Sequence, residues 1–283
     1  MNMNSIIEMK NITKQFKDKE VLKRINFSVR EGEIFGFLGP SGAGKTTTIK
    51  ILTSQLIPTS GEGKIFNKDI YSFKKNIFKK IGVLSDNSGV YERLTIEDNL
   101  TLFADIYGVD RKNVDDVLRS VELFDDRKKE VKKLSKGMKQ RLMISIALIH
   151  KPKILFLDEP TSSLDPRTAK EVHDLLRKLN REGTTIFLTT HNMEEADKLC
   201  NRVAFLNDGE IVEIDTPENL KLKYAKNKIE VKLKGKNEKI SVKNDEKSAE
   251  KIKNWIVNSQ LLSIHSQEPN LEEIFLSLTG RGL

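Results

Sequence analysis

The sequence predicts an α/β fold, a largely parallel sheet with helices between its strands, followed by a small α+β appendage. Three observations predict it. Short apolar runs alternate with helical patterns as far as about residue 220, three of those runs are apolar almost throughout, and beyond 220 the chain turns lysine-rich and begins with strands. Ile34-Phe-Gly-Phe-Leu38, Ile154-Leu-Phe-Leu157 and Thr185-Ile-Phe-Leu-Thr-Thr190 read as strands covered on both faces, and therefore as neighbours in the core.

The remaining elements follow in order. Segments 6–16, 21–29 and 64–70 alternate apolar and polar residues between Gly- or charge-containing turns, which predicts a smaller antiparallel patch. Between about 87 and 150 the strand signal disappears. Thr95-Ile-Glu-Asp98 is a helix-capping pattern, and Ile96, Leu100, Phe103 and Tyr107 follow at helical spacing, so this stretch is expected to be a helical insertion. Segments 203–206 and 211–214, joined by Asn207-Asp-Gly-Glu210, read as a hairpin. After 220, strands at 229–233 and 239–242, a helix near 249–257, a strand at 261–265 and a helix at 271–278 give a ββαβα order. Two domains are expected: 1–220, with its helical subdomain at about 87–150, and a lysine-rich accessory domain at 221–283.

Composition narrows the class. With 283 residues, 37% hydrophobic and 32% charged, the chain can bury a core and is not disordered as a whole. No apolar run approaches the roughly 20 residues that span a bilayer. The start lacks a basic segment followed by an apolar one, and Cys200 is the one cysteine, so a cytoplasmic location is expected. The net charge of +8 would permit a nucleic-acid partner, but it is local: 221–253 holds 12 Lys against 5 acidic residues, whereas 1–220 carries only +3. No nucleic-acid surface is expected, and anionic lipid headgroups are the partner that the appendage's charge suits.

The chemistry sits at the ends of the apolar runs. Gly39, Pro40, Ser41, Gly42, Ala43, Gly44, Lys45 and Thr46 form a Walker A pattern between the strand ending at Leu38 and a helical run from Thr47 to Leu56. The glycines let backbone N–H groups wrap a polyphosphate, the helix presents its positive end, Lys45 supplies a point charge, and the Thr46 hydroxyl can ligate Mg²⁺. Asp158 and Glu159 end a buried strand as consecutive carboxylates, one suited to Mg²⁺ and the other to polarising water, with strand alternation expected to point them apart.

Leu134-Ser135-Lys136-Gly137-Met138 then opens a helix, Ser163-Leu-Asp165 follows the carboxylates, and His191 ends the next strand. With these in order, the chain resembles the nucleotide-binding subunit of an ATP-binding-cassette (ABC) transporter. The resemblance implies a P-loop NTPase (RecA-like) core that hydrolyses ATP with Mg²⁺, with Lys45, Glu159 and His191 catalytic and Thr46 and Asp158 on the metal. It also implies that Thr47 joins the phosphate loop and that Phe16 stacks on adenine, core packing being the alternative for that ring. Ser135, Lys136, Gly137 and Met138, with Asp165, would meet the ATP of a second copy in a head-to-tail dimer. A separate permease would carry the membrane passage, docking near 91–107 and on the loop that carries Asp86, and would hold the chain on the inner face of the cell membrane.

Two departures from the family pattern stand out. The family's loop glutamine is here Asp86, expected to reach the metal through water; an exposed loop acid is the alternative. Lys136 and Met138 replace Gly and Gln as in bacterial exporters of drugs, antibiotics and peptides, and Leu271-Glu-Glu-Ile-Phe-Leu-Ser-Leu-Thr-Gly280 resembles the tail of that branch. An ABC ATPase working in translation or DNA repair is the competing expectation. It is disfavoured by the single Walker A and by the 90 positions separating Lys45 from Ser135. His150, His173, His265 and Cys200 show no metal-ligand spacing and are expected to be structural.

Overall fold

The computed structural model describes residues 5–72, 75–85, 89–236, 238–266 and 268–280. The chain begins with two long antiparallel strands, β1 (Ser5–Phe16) and β2 (Lys19–Arg30), in a register that pairs Ile7 with Val29, Met9 with Phe27 and Ile12 with Ile25. Alternation along β2, and along β1 with a register shift between Met9 and Ile12 where Asn11 takes a φ of 49°, buries that row of six side chains. Strand β3 (Ile34–Leu38) is buried along its whole length and feeds helix α1 (Lys45–Leu52). That helix is shorter than the run expected from Thr47 to Leu56, because the chain turns at Ser54, whose φ is 57°. Strands β4 (Ser60–Ile65) and β5 (Lys68–Asp69) complete a four-stranded antiparallel sheet of order β2-β1-β4-β5.

Helix α2 (Lys75–Phe78) leads to β6 (Ile81–Leu84). The insertion follows as α3 (Ile96–Tyr107), capped by Thr95, then α4 (Lys112–Ser120) and α5 (Lys136–Leu148). Next come β7 (Ile154–Asp158), α6 (Pro166–Arg181), β8 (Thr185–Thr190), α7 (Met193–Leu199), β9 (Arg202–Asn207) and β10 (Glu210–Asp215).

Six strands form the second sheet in the order β10-β9-β3-β8-β7-β6, parallel except for the β10 edge. The three nearly continuous apolar runs are neighbours, as β3-β8-β7. Two features go beyond the sequence reading. Ile81–Leu84 is a sheet strand beside β7, and the hairpin β9–β10 joins the same sheet through parallel pairing of β9 with β3. The two sheets share one core. Phe27 of β2 lies 5.4 to 5.9 Å, centroid to centroid, from Phe35, Phe37 and Phe187 of the parallel sheet. Each such pair contributes about 0.5–1.5 kcal/mol beyond area burial.

The register places the chemistry. Leu38 lies beside Thr190, and Asp158 beside Thr189, so β3, β8 and β7 end together. The loops at the carboxyl ends of neighbouring parallel strands converge there, which is where open α/β sheets bind ligands.

A second compact unit begins at Thr216, with the first ending at Asp215, rather than at the expected 220. The reason is α8 (Pro217–Lys223), which lies against α10 (Leu271–Thr279), with Leu220 of the first helix and Leu271, Ile274 and Phe275 of the second buried. Between them lie β11 (Lys228–Leu233), β12 (Ile240–Lys243), α9 (Glu246–Val257) and β13 (Leu261–Ser266), with the strands ordered β12-β11-β13. Among the described residues no helix is long and apolar enough to cross a membrane.

Candidate functional site

The loop from Gly39 to Gly44 connects β3 to α1, and Gly42 and Gly44 take φ values of 82° and 115°. Such backbone is open to glycine, and a Cβ on Gly44 would also come within 2.6 Å of Leu22 Cδ2. Lys45 folds back over this loop. Its Nζ donates to Gly39 O at 2.6 Å and to Pro40 O at 3.2 Å, and it stands 3.1 Å from Glu159 Oε1. The next residue faces the other carboxylate: Thr46 Oγ1 donates to Asp158 Oδ2 at 2.7 Å. Asp158 is buried, and Thr189 Oγ1 donates to its other oxygen.

Glu159 departs from the expected geometry. It is not directed by strand alternation: β7 ends at Asp158, and Glu159 takes a left-handed φ of 48°. A glutamate with positive φ is uncommon and persists where the surroundings over-determine it, as at active sites. Here its N–H donates to Thr189 O at 3.1 Å and to Thr189 Oγ1 at 3.2 Å. Its Oε2 lies 2.9 Å from His191 Nδ1, so Lys45, Glu159 and His191 form a continuous chain of contacts.

A second cluster contains the other expected residues. Ser135 caps α5 by accepting from Met138 N at 3.2 Å. Gly137 packs so closely on α6 that an added Cβ would lie 2.3 Å from Thr168 Cγ2. Thr168 in turn serves the cap of α6: its Oγ1 and N donate to Asp165 at 2.6 and 3.1 Å, which holds the Asp165 carboxyl below its ordinary value. Ser163, just before that cap, has φ 64°. The two clusters are joined by a bond from Gln140 Nε2 of α5 to Pro160 O at 2.6 Å.

The other expected positions fall as follows. Phe16 is 44% exposed with Lys14 Nζ 4.8 Å from its ring centre, so it is a surface ring and not a core residue. Ser41 is exposed at the loop crest, Ala43 is buried, and Thr47 is half-buried on α1. Lys136 is exposed on the first turn of α5. Asp86 lies outside the described residues. Of the residues set aside as structural, His150 stacks on Tyr107 at 4.2 Å, while burial raises the Cys200 thiol well above its ordinary range.

The oxygens of Thr46 and Asp158 fit Mg²⁺. They are hard donors from one hydroxyl and one carboxylate, and no group of three or more His, Cys, Asp or Glu that would suit a metal held by protein alone occurs among the described residues. Magnesium is usually bound this way, by one or two side chains together with substrate phosphates and water. The sequence reading missed the hydroxyls of Thr161, Thr189 and Thr190, and Glu195 beside them; the Thr-Thr pair closing an otherwise apolar strand was the available signal.

Comparison with known proteins gives the same direction. A family model described as "ABC transporter" matches residues 22–162. The fluoroquinolones export ATP-binding protein of Mycobacterium tuberculosis is 38% identical over 93% of this chain and 88% of its own length. The bacitracin transport ATP-binding protein of Bacillus licheniformis is 40% identical over 79% and 74%, and the linearmycin resistance ATP-binding protein of Bacillus subtilis is 33% identical over 98% and 99%. Among solved structures, a dimeric ATP-binding cassette in a post-hydrolysis state with ADP and Pi superposes with a TM-score of 0.67 at 30% identity, covering 74% of this chain and 98% of that one.

Proposed function

The chain belongs to the ABC transporter family, and from that premise we propose that it is the ATP-hydrolysing subunit of an exporter whose membrane passage is a separate permease. The observation that carries the reading is the contact chain Lys45–Glu159–His191 beside Thr46–Asp158, assembled where β3, β7 and β8 end together. Lys45 and the N–H groups of the glycine-rich loop bind the triphosphate. A γ-phosphate offers Lys45 Nζ a stronger anionic partner than Glu159, so substrate binding draws the lysine away and frees one carboxylate oxygen for water. Glu159 takes the water proton, and His191, on its other oxygen, holds the carboxylate in place and reaches toward the phosphate. Thr46 and Asp158 would hold Mg²⁺, which when bound neutralises charge on the phosphates.

The cluster of Ser135, Lys136, Gly137, Met138 and Asp165 serves a second copy. The helix start capped by Ser135 presents N–H groups to the phosphates bound by the partner's loop, so neither half-site is complete alone. Tyr91 and Ile106, exposed at 57% and 65%, suit the permease-docking role read for the helical insertion. The backbone of Tyr91 is tied to α3 through Asn99, whose Oδ1 accepts from Tyr91 N at 2.8 Å. The exposed lysines Lys228, Lys232 and Lys243 support contact of the C-terminal unit with anionic lipid, to be tested by sedimentation with anionic against neutral vesicles.

Export of a drug or antibiotic, in the manner of the fluoroquinolones, bacitracin and linearmycin of the relatives' names, is the class of cargo proposed. The decisive experiment isolates the protein from membranes with whatever integral membrane protein accompanies it and measures phosphate release. Activity that requires Lys45 and responds to the membrane partner supports the reading. Activity with no membrane partner at any stage refutes the transport assignment.

A further inference from the structure

Glu195 on α7 is only 3% exposed, and none of the roles above uses it. Its Oε1 accepts from Thr161 Oγ1 at 2.6 Å and from His173 Nε2 at 2.8 Å, while Oε2 accepts from Thr190 Oγ1 at 2.9 Å. Each partner comes from a segment that bears on hydrolysis. Thr161 is separated from Glu159 only by Pro160, Thr190 directly precedes His191, and His173 sits on α6, the helix that begins after Asp165. Thr190 Oγ1 also accepts from Asn192 N at 3.0 Å, and Asn192 Oδ1 accepts from Glu195 N at 3.0 Å. The two residues flanking His191 are thus bound to this one carboxylate or to its own backbone.

We propose that Glu195 is a positioning residue for hydrolysis, holding the segment after Glu159 and the turn bearing His191 in one fixed relation. The proposal rests on the reading of Glu159 and His191 as the hydrolytic pair. Thr161 lies between the two left-handed residues Glu159 and Ser163, a backbone that needs external support, and Glu195 supplies it. An apolar side chain at this position would leave three donors without an acceptor, which is why a buried carboxylate stands there. Burial alone would raise the Glu195 carboxyl, but the hydrogen bonds from His173, Thr161 and Thr190 outweigh it and hold the group below its ordinary value, so it stays a full acceptor.

The test uses Glu195→Gln, which keeps the shape and removes one acceptor, and Thr161→Val, which removes one donor and leaves Glu195 intact. Loss of one such bond from the hydrolytic arrangement is expected to lower kcat about tenfold in each variant with KM for ATP unchanged, while the thermal midpoint falls by about a few degrees because a buried polar group loses its partner. Because both act on one network of bonds around Glu195, the loss in the double variant should be smaller than the product of the single losses, and Thr161→Ser in place of Thr161→Val should restore kcat. Unchanged kcat in Glu195→Gln, a KM that rises as kcat falls, or independent multiplication of the two losses each overturns the proposal. His191→Ala tested alongside keeps the premise separate: full activity there sinks the hydrolytic pair itself, whereas its loss with an unaffected Glu195→Gln sinks only the positioning role.

Discussion

Replacing Glu159 by glutamine should separate ATP binding from ATP hydrolysis. The amide keeps the size of the carboxylate but cannot accept the proton of water. A positioned general base contributes about 10²–10⁴ in rate, or about 2.7–5.5 kcal/mol of barrier, so kcat is expected to fall by that factor. Binding moves the other way. Lys45 stands 3.1 Å from Glu159 Oε1, with the lysine side chain 7% exposed and the carboxylate 20%. A hydrogen bond to a charged group contributes about 1.5–3 kcal/mol, and solvent at the carboxylate discounts this to the lower end of the range. Lys45 also keeps its bonds to Gly39 O and Pro40 O, so removing the acid releases only part of its attachment. ATP affinity is therefore expected to rise by no more than about tenfold. Phosphate release, nucleotide titration and light scattering measure the three quantities at issue: turnover, affinity and an ATP-dependent dimer that accumulates. Phosphate release at the native rate, or ATP affinity that collapses with the substitution, would refute the assignment of Glu159 as base and as competitor for Lys45.

Other consequences follow from particular contacts. Gly137→Ala places a Cβ 2.3 Å from Thr168 Cγ2 and should cost about 1–3 kcal/mol, seen as a lower thermal midpoint and weaker ATP-driven dimerisation. Thr168→Ser removes that methyl while keeping the hydroxyl that caps through Asp165, so the double variant should recover. Chelation of Mg²⁺ should stop turnover, and Thr46→Ala should raise the Mg²⁺ concentration needed for half-maximal activity by about tenfold or more in a metal titration. Burial holds the His150 imidazole below its ordinary value, with Nδ1 buried and unpartnered. The unfolded chain therefore binds the proton first, and the stability this residue contributes is complete above about pH 6.5 and lost as pH falls through the folded value. His150→Gln should flatten the thermal midpoint against pH on that acid side. Ending the chain after Asp215, so that α8 and α10 leave together, should retain ATP affinity in a fluorescent-nucleotide titration.

How far the sequence could be read depended on how local each feature is. The glycine-rich loop, the paired carboxylates and the Ser-capped helix are stretches of a few adjacent residues whose spacing is dictated by one turn of backbone. They were legible for that reason. The central strands were legible because burial on both faces writes a continuous apolar run. Ile81–Leu84 has only four residues and contains a glycine, so it carries too little pattern to be separated from a loop. The pairing of β9 with β3 joins Phe35 to Arg202, and no periodicity in either segment records a partner that distant. The left-handed backbone of Glu159 was hidden by its neighbour. A residue before proline is pushed toward extended conformations, so Glu159-Pro160 reads as straight chain.

The groups that support the site were illegible for a different physical reason. Thr189 and Thr190 look like ordinary β-branched residues in a strand, since their methyls suit the pleat as well as valine would. What makes Thr189 functional is its register opposite Asp158, set by β7–β8 pairing, from which its hydroxyl reaches the carboxylate while also accepting from Glu159 N–H. Glu195 is the same case one step further out. On α7 it reads as one acid among several, and only the packing of α6 and the ends of β7 and β8 around it supplies three donors. Residues that meet the triphosphate are constrained by the shape of one loop and leave a local mark. Residues that hold those in place are constrained by which strand ends lie together, a property that exists only once the sheet has formed.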